Sequence, residues 1–305
     1  MVPQRPFWER WKKQAALQSF VWPGILFILI FSYIPMYGIV IAFQDYTVVD
    51  QISNSKWVGL DKFAAFLNDQ QFWRAVGNTI AISIGKLAIG FPAPIILALL
   101  LNELRARRFK KFTQTVSYLP HFLSWVILGG MLVSWLATDG ILNQLLMALG
   151  VIQKPIAYLV KPDYYWAIAV LSEVWKEMGW GTILYLAAMS GIDPTLYEAA
   201  KVDGAKRLQQ VWHITLPSIR GIIALMLVLA VGGLLGSNLD QALVLQRPLN
   251  LKKSEVIDSF VFKLGIQQGD FSYATAVGLF TSVIALGLIL FTNFVTRKLN
   301  DRSIF

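Results

Sequence analysis

The chain has 305 residues, 56% of them hydrophobic and only 15% charged, whereas a soluble domain carries about 25% charged residues. Its net charge is +9, but the basic residues sit beside apolar runs, which suits membrane topology rather than nucleic-acid binding. With no cysteine and two histidines, a disulfide framework, a thiolate metal site, a cysteine nucleophile and a histidine-rich metal cluster are all excluded.

Phe7–Leu17 (FWERWKKQAAL) mixes Phe7, Trp8 and Trp11 with Arg10, Lys12 and Lys13, a pattern for an interfacial helix on an anionic leaflet. Residues 20–43 follow without a single charge, enough to cross a bilayer with some tilt. A signal peptide has a shorter apolar core and a small-residue cleavage site, so this reads as an uncleaved first span. Residues 44–75 carry acids and bases together and read as an external loop ending in a surface helix. The second span is 77–101, with Lys86 inside it and a kinking pair, Pro92 and Pro94. A short, strongly basic loop (Arg105, Arg107, Arg108, Lys110, Lys111) leads to a third span at 117–138. After an external stretch comes the fourth span, 165–190. The fifth is 219–237 and the sixth 274–295. Between those two, 238–273 is too long and polar for a turn and reads as a re-entrant or surface cap.

The fold class is therefore all-α, one polytopic transmembrane domain of about six spanning helices over 1–305. The segments 1–19, 102–116, 191–220 and 296–305 hold 16 of the 27 Lys and Arg, and the three opposite loops hold 9. The positive-inside rule puts both termini and the loop 191–218 in the cytoplasm.

That loop is too organised to be a plain connector. Asp193 suits an N-cap and Pro194 the first helical position. Leu196, Ala199 and Ala200 share a face at helical spacing, and Gly204 is fit to end the helix in left-handed geometry. Ala205–Trp212 reads as a second short helix and Pro217 as the entry to the next span. Two stubby amphipathic helices at a membrane surface make a docking knob.

The spelling adds a resemblance. Glu198-Ala199-Ala200, Asp203-Gly204 and Ile214-x-Leu216-Pro217 resemble the EAA loop of ABC importer permeases. SYLPHFLSWV (117–126), WKEMGWGTILYLAAMSGIDPTLYEAAKVDGA (175–205) and FSYATAVGLF (271–280) are similar to the LplB-like permeases of its oligosaccharide-importing branch. The resemblance implies an inner-membrane, multi-pass subunit of a binding-protein-dependent importer. It implies that Glu198, Ala199, Ala200, Asp203, Gly204, Leu216 and Pro217 couple to a cytoplasmic ATPase dimer. It also implies a second homologous permease subunit, an extracytoplasmic solute-binding protein, an oligosaccharide substrate and a lipid surround.

No phosphate-binding G-x-x-x-x-G-K-[ST] loop occurs, so ATP and Mg would belong to the partner and no cofactor to this chain. Neither G-x-S-x-G, H-E-x-x-H nor C-x-x-C is present. No catalytic or metal-ligating set is assigned, and no nucleic acid is implicated.

Trp166, Glu173, Lys176, Glu177 and Trp180 fall on one face of the fourth span. Ionisable groups there must face protein or water. Two readings stay open. Lys176 paired with Glu173, three residues earlier, makes structural glue; a wet pathway uses carboxylates for sugar hydroxyls and tryptophan faces for pyranose rings. Asn238, Asp240 and Gln241 either line the outer pathway or cap a helix. Lys86, Asn78 and Ser83 are further candidates for the path, with the alternative that Lys86 simply satisfies a carboxylate. His121 and His213 read as structural hydrogen-bonders. The alternatives to an importer subunit are a proton-coupled carrier using Glu173 and Glu177, a membrane-embedded enzyme, or a purely structural membrane subunit.

Overall fold

The computed structural model describes residues 7–49, 51–236 and 238–300. The expected cytoplasmic segment 1–19 lies partly outside them, as do Ser237 at the end of the expected fifth span and the C-terminal residues 301–305. The aromatic and basic side chains of 7–13, on which the interfacial reading rests, also lie outside what is described.

Among the described residues the regular structure is helical apart from one two-residue antiparallel pair, β1 (Gln44–Asp45) with β2 (Lys56–Trp57). The fifteen α-helices run in order as α1 (Phe7–Ile28), α2 (Asp61–Leu67), α3 (Gln70–Gly85), α4 (Pro92–Glu103) and α5 (Arg107–Tyr118). They continue with α6 (Trp125–Trp135), α7 (Ile141–Ala148), α8 (Tyr165–Ser190), α9 (Pro194–Val202) and α10 (Arg207–Gln210). The last are α11 (Leu216–Gly232), α12 (Leu239–Leu245), α13 (Leu251–Ser254), α14 (Ile257–Phe262) and α15 (Phe271–Asn300).

Several of these join into longer rods. Gln18–Phe43, Gln70–Glu103, Arg207–Gly232 and Phe271–Thr296 are each long and apolar enough to cross a membrane. Three of these rods share one device. A π-helical turn at Leu29–Tyr33 precedes Pro35, one at Lys86–Gly90 precedes Pro92, and one at Val211–Thr215 precedes Pro217. Proline lacks the N–H and its ring displaces the carbonyl four residues back. Widening the preceding turn absorbs that clash without ending the helix.

Two sequence expectations change here. Ala205–Trp212 is not a second free-standing helix: α10 passes through its π turn into α11 as one 26-residue rod. Residues 117–138 are not one straight span. A 3-10 turn at Leu119–Phe122 separates α5 from α6, and the two directions differ by 101°. Pro120 starts that break, and Ser124 caps the new helix by accepting from the Ile127 N–H at 3.3 Å.

α8 spans 26 residues, roughly 39 Å at 1.5 Å per residue. Its Glu173, Lys176 and Glu177 set it apart from the four apolar rods. The region expected as a cap, 238–273, folds into α12, α13 and α14.

The chain divides into two units, Met1–Ala65 with Leu264–Leu279, and Phe66–Lys263 with Phe280–Phe305. In the first, Phe43 stacks on Trp57 at 5.8 Å between ring centres, and Lys62 bridges Asp45 at 2.8 Å and Asp270 at 3.8 Å. The Lys62 ammonium, hydrogen-bonded to Asp45, holds that carboxyl below its usual value. In the second unit α8 is central and packs on α3, α4, α5 and α11. One apolar cluster joins Ile82, Tyr165, Ala169, Val170, Ala242 and Leu245; another joins Ala98, Tyr185, Met189 and Ile219. Gly179 is where α5 comes closest, since a Cβ there would run into the Ser117 carbonyl.

Polar side chains stitch the short helices to the long ones. Asn78 donates to the Glu255 carbonyl at 2.8 Å, the Ile257 N–H to Thr79 Oγ1 at 2.9 Å, and buried Asn250 to the Leu159 carbonyl at 2.8 Å. Each such bond satisfies a backbone group that would otherwise be costly away from water.

Candidate functional site

A cavity of about 570 Å3 opens between the α3–α4 rod, α8 and the C-terminal end of α11. Its wall is two-sided. Ser83, Lys86, Glu173, Glu177 and Asn238 supply polar groups; Leu87, Phe91, Pro94, Val174, Met178 and Met226 supply apolar surface. The polar side is built from ion pairs. Lys86, on the π turn of the rod, reaches Glu173 Oε2 at 3.7 Å and donates to Gln241 Oε1 at 3.2 Å. Asn238 Nδ2 approaches Glu173 Oε2 at 3.5 Å, and Ser83 Oγ donates to the Leu234 carbonyl.

The expected pairing of Lys176 with Glu173 is corrected. Lys176 is only 6% exposed, and its ion pair is with Glu177 rather than Glu173. Its Nζ donates to the His121 carbonyl at 2.6 Å and lies 3.3 Å from Glu177 Oε1. Glu173 is matched instead by Lys86, from an element that helical spacing cannot reveal. The five-residue stripe also separates. Glu173 and Glu177 line the cavity, whereas Trp180 stacks on His121 with ring centres 4.4 Å apart and planes 3° from parallel. Trp166 donates to the Lys253 carbonyl at 3.0 Å, with the Lys253 ammonium 3.7 Å above its ring, outside the cavity lining.

The second polar cluster splits as well. Asn238 caps α12, accepting from the Gln241 N–H at 3.2 Å, and also lines the cavity. Gln241 is buried behind the wall and donates to the Ala169 carbonyl at 2.8 Å and Ser172 Oγ at 3.0 Å. Asp240 sits exposed in the first turn of α12, away from the lining. Asn78 is committed to the α13–α14 backbone.

Two participants carried too little weight in the sequence. Lys86 is the only charged residue within 77–101, and a lone ammonium in an apolar run calls for a carboxylate partner. His121 follows Pro120, and its Nδ1 lies 2.7 Å from Glu177 Oε2.

At the other end of α8, Gly191 and Ile192 lead straight into α9. Asp193 Oδ1 accepts from the Thr195 N–H at 2.9 Å, and Pro194 occupies the first turn. That backbone N–H holds the Asp193 carboxyl below its usual range. Gly204 takes φ +79° just past the helix end, where glycine alone is at ease. Tyr197 and Thr215 are joined at 2.9 Å, pinning α9 to the base of the α10–α11 rod. His213 Nδ1 donates to the Gln209 carbonyl at 2.9 Å, the structural role expected of it. Leu196, Glu198 and Ala199 are left exposed, while Ala200 and Tyr197 are half-buried. Glu198 and Lys201 face a second cleft, of about 650 Å3, with Glu103, Arg105, Lys206 and Arg207. Asp203 ends α9, and Leu216 and Pro217 open α11.

Comparison with known proteins matches residues 90–304 to the family described as binding-protein-dependent transport system inner membrane component. The chain is 42% identical over 294 residues to the polygalacturonan/rhamnogalacturonan transport system permease protein YteP of Bacillus subtilis (strain 168), covering 96% of this chain and 91% of that protein. It is 41% identical to protein LplB of the same organism, covering 96% and 92%. A solved bacterial ABC transporter involved in the import of the acidic polysaccharide alginate matches with a TM-score of 0.88 and 37% identity, over 96% of this chain and 99% of that one. A bacterial alginate ABC transporter in complex with an alginate pentasaccharide-bound periplasmic protein matches with a TM-score of 0.89 and 36% identity, over 98% and 100%.

Proposed function

The chain belongs to the family of binding-protein-dependent transport system inner membrane components, and on that premise we propose that it forms one half of the translocation pathway of an oligosaccharide importer. It is a transport permease and not an enzyme. In this reading a separate cytoplasmic ATPase pair binds ATP and Mg. A second, homologous permease completes the pathway, and an extracytoplasmic binding protein delivers the sugar. The membrane is a bacterial inner membrane with both termini in the cytoplasm.

The observation that carries the reading is the continuity of α8. Its middle bears Glu173 and Glu177 on the cavity wall, and its last residues run directly into the exposed helix α9. The two-sided wall suits a saccharide, which presents hydroxyls to polar groups and C–H faces to apolar ones. The names of similar proteins support the same class, since they concern polygalacturonan/rhamnogalacturonan transport and import of the acidic polysaccharide alginate. Closure of the ATPases on ATP would push α9, with Glu198 and Ala199 at the contact and Asp203, Gly204, Leu216 and Pro217 setting its geometry. α8 would transmit that push to the cavity, alternating its access. A proton-coupled carrier working through Glu173 and Glu177 is disfavoured by their existing ion pairs with Lys86 and Lys176 and by the hydrogen bond between Glu177 and His121.

The test is uptake of labelled pectic and alginate oligosaccharides into proteoliposomes containing the whole complex. Uptake should require ATP on the α9 side and persist when the proton gradient is collapsed. Uptake that follows the gradient and ignores ATP overturns the reading. Because the chain has no cysteine, orientation is read in the same vesicles. A cysteine at Lys206 should react only from the ATPase side and one at Lys56 only from the other.

A further inference from the structure

Three side chains of α8 close around one residue of the broken helix. Lys176 Nζ holds the His121 carbonyl at 2.6 Å, Glu177 Oε2 meets its Nδ1 at 2.7 Å, and the Trp180 indole covers its ring face at 4.4 Å. Phe122 stands edge-on to the same indole at 5.8 Å. Of this group only Glu177 reaches the cavity wall, and its side chain keeps 39% exposure.

We propose that His121 is a positioning residue of the sugar path, fixing the Glu177 carboxylate as a ready-made acceptor for a saccharide hydroxyl. The inference rests on the cavity being that path. An ionised carboxylate only accepts, so the ring's Nδ1 donates to it. Trp180 fixes the plane of the ring, and through the ring it fixes the direction from which Oε2 is held. Lys176 holds the other oxygen, Oε1, at 3.3 Å. Each carboxylate oxygen has two lone pairs, so a hydroxyl arriving from the cavity finds an acceptor whose orientation has already been set. An unanchored glutamate would have to be ordered by the ligand at the ligand's expense in affinity. The alternative role, holding the helix break against α8, also has a contact that is independent of the ring. The bond from Lys176 goes to the backbone carbonyl and survives any side chain at position 121.

The experiment compares His121→Leu with His121→Asn in the intact complex in proteoliposomes. The probes are reducing-end-labelled pectic and alginate oligosaccharides, and KM and kcat for uptake are read separately. Asparagine offers a side-chain N–H close to the place of Nδ1–H; leucine offers none. His121→Leu should raise KM roughly tenfold or more, the loss expected for a hydrogen bond to a charged group. It should leave kcat within about twofold and the yield of assembled complex unchanged. His121→Asn should recover most of the KM. An unchanged KM in His121→Leu overturns the proposal. So does loss of assembly in either variant, or a fall in kcat at constant KM, because these mark a structural role. A wild-type complex that takes up none of the probes overturns the saccharide reading itself, and is told apart by the absence of any wild-type signal.

Discussion

Lys176 Nζ donates at 2.6 Å to the carbonyl oxygen of His121, so a side chain of α8 caps the free end of a helix broken beside it. The 101° turn between α5 and α6 releases backbone groups from helical pairing. Inside a membrane such groups are tolerated only where protein or a wet cavity satisfies them. The ammonium does this, and Glu177 at 3.3 Å offsets its charge. A helix interrupted at depth and tied to ionisable residues is a recurring construction for transport pathways.

Lys176→Met should therefore assemble poorly, since removing one partner of a buried pair costs about 3–5 kcal/mol. Part of the loss should return in Lys176→Met with Glu177→Gln, which no longer strands a carboxylate. Lys176→Met with Glu173→Gln should recover less, because Glu173 has Lys86. The yield of monodisperse complex in detergent ranks the three. Equal rescue by the two double variants would contradict the pairing.

Lys86 and Glu173 should show the complementary pattern. Each single change, Lys86→Met or Glu173→Gln, should lower the melting temperature of the complex. The double variant should be less unstable than the sum of the singles. A coupling of about 0.5–3 kcal/mol is the usual range for contacting charges; a coupling of zero would place the two groups apart.

Gly179→Ala should fail to yield folded protein, because a Cβ there meets the Ser117 carbonyl of α5, a backbone atom with no room to yield. Gly221→Ala is the control. Nothing lies within 4 Å of its Cβ position, and alanine gains about 1 kcal/mol over glycine in a helix. Size-exclusion profiles of the two variants decide it.

At the loop, Ala199→Trp places a large ring on the exposed side of α9 while leaving the fold alone. Overpacking a close contact typically costs about 1–3 kcal/mol, so co-purification of the ATPase should weaken with membrane insertion intact. Gly204→Val should act more severely, since φ +79° is strained for a β-branched residue. A normal yield of ATPase with Ala199→Trp would remove α9 from the interface.

Asp193 gives the loop a pH dependence of known sign. The Thr195 N–H lowers the carboxyl below its ordinary 3.8. The cap's contribution is thus fully present above that value and is lost as pH falls through the lower, folded one. Amide exchange across 195–202, corrected for its intrinsic pH dependence, should accelerate in that acid window. In Asp193→Asn, which still caps but does not titrate, the acceleration should vanish. An identical acid profile in the two proteins would assign the effect elsewhere.

Much of this was legible in the residues because it is local. Apolar runs without charge, Asp193-Pro194 at a helix start and Gly204 at its end each act within a few positions, and α9 forms where they direct it. The EAA-like spelling singled out the loop as the expected coupling element, and of the two readings open for the lone Lys86, the one that gave it a carboxylate partner matches its contact with Glu173. Other features depended on which elements meet. Spacing along α8 offered Glu173 as the partner of Lys176, three residues away on the same face. The structure gives Lys176 to His121 and Glu177, and gives Glu173 to a lysine 87 positions earlier. Likewise Ala205–Trp212 looked like a separate helix because Pro217 looked like a boundary, yet a π turn carries the helix through it. Helical periodicity fixes which side chains share a face, but in a medium poor in water an ionisable group is held by whichever counter-charge or carbonyl the packing brings to it, and that is settled only when the helices are in place.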